Sequence, residues 1–190
     1  MKPILRNFPT TIETERLILR APEPGDGSAL NEAILDSLEA LRPWLRFART
    51  APTVEESEEH IRQSRANFLR RTSFNCLIWL KEEPLVIGRT GLNNIDWDIP
   101  AFEIGYWLRS THTGYGYMTE AVAALTDFAF DELDARRVAI YCNVKNERSA
   151  AVARRLGYTH EATILCDGRD HFGELRDTLA FAKFREDPAS

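Results

Sequence analysis

The sequence predicts an α/β (α+β) domain with one mixed, mostly antiparallel central sheet of about seven strands and helices on both faces. Its 190 residues, 44% of them hydrophobic, suit a single domain with a substantial core. Short segments that alternate apolar and polar residues between Gly, Pro, Asn and Asp are typical of strands. Segments with helical periodicity lie between these strands, so that the predicted order of elements is β α α β β β α β α β β. We expect one domain over 1–190, with an N-terminal arm at 1–10 and a C-terminal tail at 185–190.

The charge balance and the cysteine pattern argue against several classes of protein. The 24 Lys and Arg against 29 Asp and Glu give a net charge of −5, which argues against nonspecific nucleic-acid binding. No apolar run has the length of a membrane span and no signal-peptide core is present, so we expect a cytoplasmic protein without a membrane partner. Cys76, Cys142 and Cys166 lack C-x-x-C spacing, which predicts neither a disulfide framework nor a metal site.

The first third of the chain contains one strand and two helices. The segment T-I-E-T-E-R-L-I-L-R-A at 11–21 predicts the strand, and P-E-P-G-D ends it. Asp26 is the predicted N-cap of a helix that Pro43 ends. Thr53 and Glu56 have the spacing of a capping box, which predicts the start of a second, highly charged helix.

The middle of the chain predicts three strands. Residues 73–80 and 85–95 form two of them around a K-E-E-P turn, and 101–108 forms the third. Gly88 and Gly91 are unusual within a strand and predict a bulge or the close approach of another backbone.

A strand, a glycine loop and a helix follow one another between Phe102 and Leu133. The strand F-E-I-G-Y-W-L leads into R-S-T-H-T-G-Y-G-Y, and M-T-E-A-V-A-A-L then continues at helical spacing. Gly114 and Gly116 precede the helix N-terminus, where unpaired N–H groups and the helix dipole favour an anion. This order predicts a phosphate site; simple turn chemistry is the alternative, which the glycines alone do not exclude.

The last third predicts a strand at 137–144, a short helix and a C-terminal hairpin. Asn146 is the expected N-cap of the helix N-E-R-S-A-A-V-A-R-R-L-G-Y, and Gly157 is its expected C′ residue. The hairpin spans 160–184, with a polar turn through D-G-R-D-H-F-G-E.

Five segments in this order resemble the GNAT superfamily of acyl-CoA N-acetyltransferases, and within it the RimJ/RimL-type branch of ribosomal-protein N-terminal acetyltransferases. They are T-E-R-L-I-L-R, F-E-I-G-Y-W-L, T-G-Y-G-Y-M-T-E-A, N-E-R-S-A-A-V-A-R-R-L-G-Y and R-D-T-L-A-F-A. The resemblance implies the GNAT fold and acetyl transfer from acetyl-CoA to a primary amine, with no metal. A noncatalytic acyl-CoA-binding or sensing module of the same fold is the alternative.

The resemblance also implies which residues bind the coenzyme. The pyrophosphate lies on the loop at 109–119, and the pantetheine arm lies between the splayed strands at 101–108 and 137–144. The implied contacts are Trp107, Leu108, Arg109, Gly114, Tyr115, Gly116, Tyr117, Met118, Thr119, Asn146 and Ser149. Where the family usually has Gln or Arg this chain has Thr111, so Arg109 or His112 is expected to supply the side-chain contact.

Two proton-handling groups are expected in the reaction. The amine must be neutral to attack, and Glu103 is the first choice of general base because it is the only carboxylate in its apolar strand. A salt-bridged structural role is the alternative. The resemblance also points to the tail carboxylates Asp167, Asp170 and Glu174 as rival bases.

Ser149 matches the serine that RimL-like enzymes are thought to use at the leaving thiolate. Many superfamily members use a tyrosine beyond this helix, but none follows Tyr158 here. Because serine is a weak acid, Ser149 either hydrogen-bonds the sulfur or only stabilises the start of its helix. No Cys-His or Ser-His pattern predicts an acyl-enzyme, so direct transfer is expected.

The acceptor amine stays open at this point. A peptide α-amino group, a small amine such as an aminoglycoside and an amino acid all suit the chemistry, and the segments around Trp44, Trp97 and the hairpin are expected to shape its site. The acidic chain would steer a basic peptide towards it. A monomer and a homodimer are equally compatible with the sequence.

Overall fold

A computed structural model describes residues 2–170 and 172–185, and within them one eight-stranded sheet organises the chain. The strands run in the order β1-β2-β3-β4-β5-β6-β8-β7, and β5 with β6 is the parallel pair. The strands are β1 (Thr11–Glu13), β2 (Leu17–Arg20), β3 (Phe74–Leu80), β4 (Val86–Asp96), β5 (Ala101–Leu108), β6 (Arg137–Asn143), β7 (Thr159–Arg169) and β8 (Leu175–Phe184). The predicted mixed, mostly antiparallel sheet is confirmed. Of the predicted tail, 186–190 lies outside the described residues.

Helices cover both faces of the sheet, as predicted. One apolar cluster joins the sheet to the fourth and fifth helices, and a second joins it to the first and third. The side chains of β5 point alternately into the two clusters: Ile104 belongs to the first cluster and Trp107 to the second. The helices are α1 (Gly27–Leu35), α2 (Leu38–Leu41), α3 (Val54–Arg70), α4 (Tyr117–Asp131) and α5 (Glu147–Arg155).

The structure divides two elements that were predicted to be continuous. The first strand becomes β1 and β2 because the Thr14 N–H turns back to the Leu17 carbonyl. The first helix becomes α1 and α2. Asp26 precedes α1 but makes no side-chain cap; its carboxylate accepts from the Arg20 guanidinium and the Glu23 N–H instead. An ion pair across the turn therefore replaces the predicted cap.

The other local predictions are confirmed. Thr53 and Glu56 form the capping box, and the Asn146 side chain accepts from the Ser149 N–H at 3.2 Å. Gly157 has a φ of +72°, as a C′ glycine does. Gly88 and Gly91 are sites of close approach: a Cβ would lie 2.4 Å from the Trp107 carbonyl and 2.3 Å from the Asn75 amide oxygen, respectively.

The N-terminal arm packs against the edge of the core. The Phe8 ring lies 5.5 Å from that of Phe74 and stacks on Trp97 at 6.4 Å. Trp97 also donates its indole N–H to the Arg71 carbonyl. Trp97 therefore packs at the edge of the core, which does not favour the expected role in shaping the acceptor site.

The parallel pair opens shortly after it begins. Residues 101–103 of β5 pair with 137–139 of β6, while the later residues of β5 have no strand partner on that side within the described part of the chain. β6 instead continues its pairing with β8 as far as Asn143. The two strands thus diverge beyond Glu103, and the gap between them lies beside α5.

Candidate active site

A groove of about 1100 Å³ lies along the C-terminal half of β5, beside the start of α4. The segment at 40–45 forms one wall and α5 forms the other. Predicted coenzyme residues that line it are Trp107, Leu108, Gly114, Gly116, Tyr117, Met118, Thr119, Asn146 and Ser149. We call it the donor groove.

One end of the donor groove is a cradle of backbone N–H groups. Gly114 and Gly116 have φ angles of +91° and +84°, which glycine adopts without strain. Among the described residues, the N–H groups of 114–119 have no hydrogen-bond acceptor. The 15-residue helix α4 adds the positive end of its dipole. This geometry suits a pyrophosphate, so the coenzyme implied by the sequence fits these residues.

Arg16 and Glu120 hold the cradle against the sheet. The Glu120 carboxylate accepts from the Arg16 backbone N–H at 2.9 Å, the Arg16 Nε at 2.7 Å and the Thr14 hydroxyl at 2.6 Å. The Arg16 guanidinium donates to the Tyr115 carbonyl at 3.0 Å and stacks on the Tyr117 ring. Burial alone would raise the pKa of Glu120, but these hydrogen bonds outweigh it and lower the pKa. The sequence reasoning missed this link between β2 and α4.

Arg109 and Tyr115 do not line the groove. Arg109 is 4% exposed, and its guanidinium contacts Glu32 and Asp36. Its role is to tie the end of β5 to α1, so the prediction of a coenzyme contact does not fit the geometry. Tyr115 is exposed, and its carbonyl receives Arg16.

Two arginines of α5 line the groove where the sequence suggested Arg109 or His112. They are Arg148 and Arg155, and the Arg155 guanidinium reaches the Thr119 hydroxyl at 3.4 Å. His112 lies outside the groove lining and accepts from or donates to the Thr111 hydroxyl. Their seven-residue spacing places Arg148 and Arg155 on one face of α5. The sequence alone does not show that this face is directed at α4.

A second cavity, of about 390 Å³, lies on the other side of the gap between β5 and β6. We call it the acceptor cavity. Glu103 lines it, and its carboxylate accepts from the Asn94 amide at 2.7 Å. Two of the three rival carboxylates, Asp167 and Asp170, also line it, whereas Glu174 does not.

The rival carboxylates already serve the hairpin. Asp167 accepts from the Thr178 hydroxyl at 2.7 Å, and Asp170 accepts from the N–H groups of Phe172 and Glu174. Of the candidate bases in the cavity, Glu103 is the one on β5, where the strands diverge.

Tyr106, Asn146 and Ser149 line both cavities and mark the point where they meet. The Tyr106 hydroxyl donates to the Ser149 carbonyl at 2.9 Å and accepts from the Ser149 hydroxyl at 3.1 Å. Burial raises the pKa of Tyr106 well above its ordinary value. Tyr106 is not among the site residues predicted from the sequence, because the family's tyrosine is expected beyond this helix, after Tyr158. Tyr158 itself lies elsewhere, hydrogen-bonded to Thr126.

The cysteines do not form a nucleophilic site. Cys76 is fully buried, which raises the pKa of its thiol to about 12, and burial also raises the pKa of Cys142. Both are core residues, whereas Cys166 is exposed. Within 2–170 and 172–185, no group of three His, Cys, Asp or Glu residues is arranged to hold a metal. None of the described helices is long and apolar enough to cross a membrane.

Comparisons with known proteins agree with this geometry. Residues 16–159 match the acetyltransferase (GNAT) domain model. The "Putative ribosomal N-acetyltransferase YdaF" of Bacillus subtilis (strain 168) is 32% identical over 148 residues, covering 77% of this chain and 80% of that protein. The ribosomal-protein-serine acetyltransferase of Escherichia coli (strain K12) is 30% identical over 125 residues, 65% of this chain and 70% of that protein.

Solved structures extend the likeness to nearly the whole chain. A RimL ribosomal L7/L12 alpha-N-protein acetyltransferase in complex with coenzyme A superposes with a TM-score of 0.86 at 27% identity, covering 92% of this chain and 97% of that one. The matched motifs, the donor groove and these relatives together identify the chain as a member of the GNAT family of acetyl-CoA-dependent N-acetyltransferases, in its RimJ/RimL-type branch.

Proposed function

We propose that this enzyme acetylates the N-terminal α-amino group of a protein in the cytoplasm. The names of the relatives support a protein acceptor, since all three contain the word ribosomal and one of them names an alpha-N-protein acetyltransferase. An α-amino group, with a pKa of about 7.7 to 8.0, is also more readily deprotonated near neutral pH than a lysine at about 10.4.

The observation that carries the proposal is the meeting of two cavities at Tyr106 and Ser149. The donor groove contains the backbone cradle, and the acceptor cavity contains Glu103. A thioester and an amine entering from opposite sides would meet beside the hydroxyl pair. Holding both reactants in one geometry lowers the barrier by removing the entropy cost of their encounter.

We assign one step of the acetyl transfer to each of these groups. Bound acetyl-CoA supplies the acetyl group as a thioester, and the cradle at 114–119, with Arg148 and Arg155, would hold its phosphates. Glu103 accepts a proton from the ammonium group, directly or through a water, and passes it to solvent. As the N–C bond forms and the C–S bond breaks, one hydroxyl of the Ser149–Tyr106 pair turns from its present acceptor and donates its proton to the departing sulfur, and the second amine proton restores that hydroxyl.

Direct transfer suits the side chains better than a covalent acyl-enzyme. Cys142 lines the acceptor cavity, but burial raises the pKa of its thiol, and no histidine contacts it among the described residues. The reactive thiolate that an acyl-cysteine would need is therefore disfavoured. We propose a ternary complex in which the amine attacks the thioester itself.

A peptide panel tests the proposed acceptor. Peptides with a free α-amino group and an internal lysine are compared with the same peptides blocked at the α-nitrogen, and coenzyme release and the mass of the product are measured. We expect acetylation of the free α-nitrogen and none of the blocked peptide. Equal acetylation of both would show that lysine is the acceptor; release only with small amines would exclude a peptide acceptor.

A further inference from the structure

Arginine is concentrated around the acceptor cavity of a chain that is acidic as a whole. Five arginines line the cavity against three carboxylates, while the entire chain has a net charge of −5. The arginines come from two separate segments, one after α2 and one in the C-terminal hairpin. They are Arg42, Arg46, Arg49, Arg169 and Arg176. The local charge is thus opposite to that of the whole chain.

Most of this positive charge is not neutralised by an ion pair. Among residues 2–170 and 172–185, Arg42 is the cavity arginine that has a carboxylate partner, Glu39. Arg49 and Arg169 donate only to backbone carbonyls, those of Asp170 and Gly173.

Arg176 of the hairpin lies beside Gly168. It is half-buried and lies against Gly168, where a Cβ would be only 2.8 Å from the Arg176 Nε. The glycine therefore provides the room that the guanidinium occupies. Arg46, in contrast, is exposed, and neither residue has an ion-pair partner in the described part of the chain.

The three carboxylates of the cavity offset only part of this charge, since the five arginines exceed them by two. Asp167 and Asp170 accept hydrogen bonds within the hairpin, and Glu103 accepts one from Asn94. A ligand that enters the cavity therefore meets guanidinium groups with free donors. Arginine forks match carboxylates in geometry as well as in charge.

We infer that the acceptor is an acidic N-terminal peptide, whose amine lies at Glu103 and whose side-chain carboxylates contact Arg46 and Arg176. The inference rests on the proposed protein acceptor and names the chemistry of its first few residues. It differs from the expectation, drawn from net charge alone, that an acidic chain would steer a basic peptide towards the site. The field at the mouth is set by the residues that line it, and not by the distant surface.

Three peptides with the same first residue test the inference. One carries Asp and Glu at positions two to five, the second carries Asn and Gln there, and the third carries Lys. We expect kcat/KM to be roughly tenfold higher for the acidic peptide than for the amide peptide, mainly through KM, and the gap to narrow with added salt.

Variants of the cavity arginines test whether the preference for the acidic peptide arises in the acceptor cavity. Arg46→Gln and Arg176→Gln should each lower kcat/KM more for the acidic peptide than for the amide peptide, so that the difference between the two peptides narrows several-fold. Arg70→Gln is the matched control, since Arg70 is an exposed arginine of α3 outside the cavity lining. Arg70→Gln should leave the difference in kcat/KM between the acidic and amide peptides unchanged.

The possible failures are distinguishable. Equal kcat/KM for the three peptides, or an equal loss on all three in both variants, would overturn the inference and leave a peptide acceptor in place. No acetylation of any peptide, with turnover of a small amine, would overturn the proposed function and the inference together.

Discussion

The hydroxyl of Ser149 donates a 3.1 Å hydrogen bond to the hydroxyl of Tyr106, and Tyr106 in turn donates to the Ser149 carbonyl. This pair joins α5 to β5 at the point where the donor groove and the acceptor cavity meet. The two hydroxyls form one unit in which Tyr106 orients the serine. Both hydroxyl protons are used within the pair, so one of them has to turn from its present acceptor to reach the sulfur.

We predict that Tyr106→Phe and Ser149→Ala each lower kcat by roughly tenfold to a hundredfold, with KM for acetyl-CoA changed by less than about threefold. Because the hydroxyls act together, the double variant should lose little more than the worse single variant. Steady-state kinetics measures both parameters. Tyr158→Phe is the matched control, since its hydroxyl contacts Thr126 outside both cavities. Full activity in Tyr106→Phe would contradict the paired role.

The glycine cradle predicts a defect in coenzyme binding. Gly114→Val places a β-branched residue at a φ of +91°, where the strained backbone would turn the N–H groups out of position. We expect at least roughly tenfold weaker binding of acetyl-CoA, measured by calorimetry. Gly25→Val carries the same strain at a φ of +104° outside the groove lining and should leave the affinity unchanged. Unchanged affinity in Gly114→Val would show that the cradle lies elsewhere.

From the ion pair between Glu120 and Arg16 we predict a change in KM for acetyl-CoA rather than in kcat. Glu120→Gln removes the charge that holds Arg16 against the loop, so KM for acetyl-CoA should rise several-fold while kcat changes little. Glu161→Gln, which breaks a comparable ion pair with Arg137, is the control.

The pH dependence of this link follows from the lowered pKa of Glu120. Its stabilising contribution is complete above the unfolded pKa of about 4.3 and is lost as the pH falls through the lower folded value. Wild-type coenzyme binding should therefore weaken only in strongly acidic buffer. An unchanged KM in Glu120→Gln would contradict the anchoring role.

Glu103 predicts a loss in the chemical step. Glu103→Gln should lower kcat by roughly a hundredfold near pH 7, and the loss should shrink as rising pH deprotonates the amine in solution. Coenzyme affinity should stay the same, because Glu103 lines the acceptor cavity and not the donor groove. Asp167→Asn, which alters a rival carboxylate of the acceptor cavity, is measured for comparison. A larger loss in Asp167→Asn would identify the hairpin carboxylate as the base.

Local signals in the sequence predicted two of the three caps correctly, because their hydrogen bonds lie within a few residues, whereas the predicted side-chain cap at Asp26 does not form. The Thr53–Glu56 capping box and the Asn146 cap each span three positions, and the glycine φ angles depend on the loop itself. The strand and helix order followed from periodicity for the same reason. The number of strands differed because a local turn at Thr14 divides the first one.

Long-range pairing was not predictable from the sequence. Arg109 looked like a coenzyme contact because it borders the loop, yet its partners, Glu32 and Asp36, lie more than seventy positions away. Tyr106 and Ser149 are 43 positions apart, and only the fold brings them together. The arginines of the acceptor cavity likewise converge from two distant segments. Charge and periodicity do not reveal which surfaces will face each other.

A bisubstrate ligand tests the central claim, that the two cavities meet at Tyr106 and Ser149, most directly. Coenzyme A is joined through an acetyl linker to the α-nitrogen of an acidic peptide, and its affinity is measured by calorimetry beside that of coenzyme A alone. We predict binding at least roughly a hundredfold tighter, because one ligand fills both cavities without a second loss of entropy. An affinity equal to that of coenzyme A alone would contradict the account.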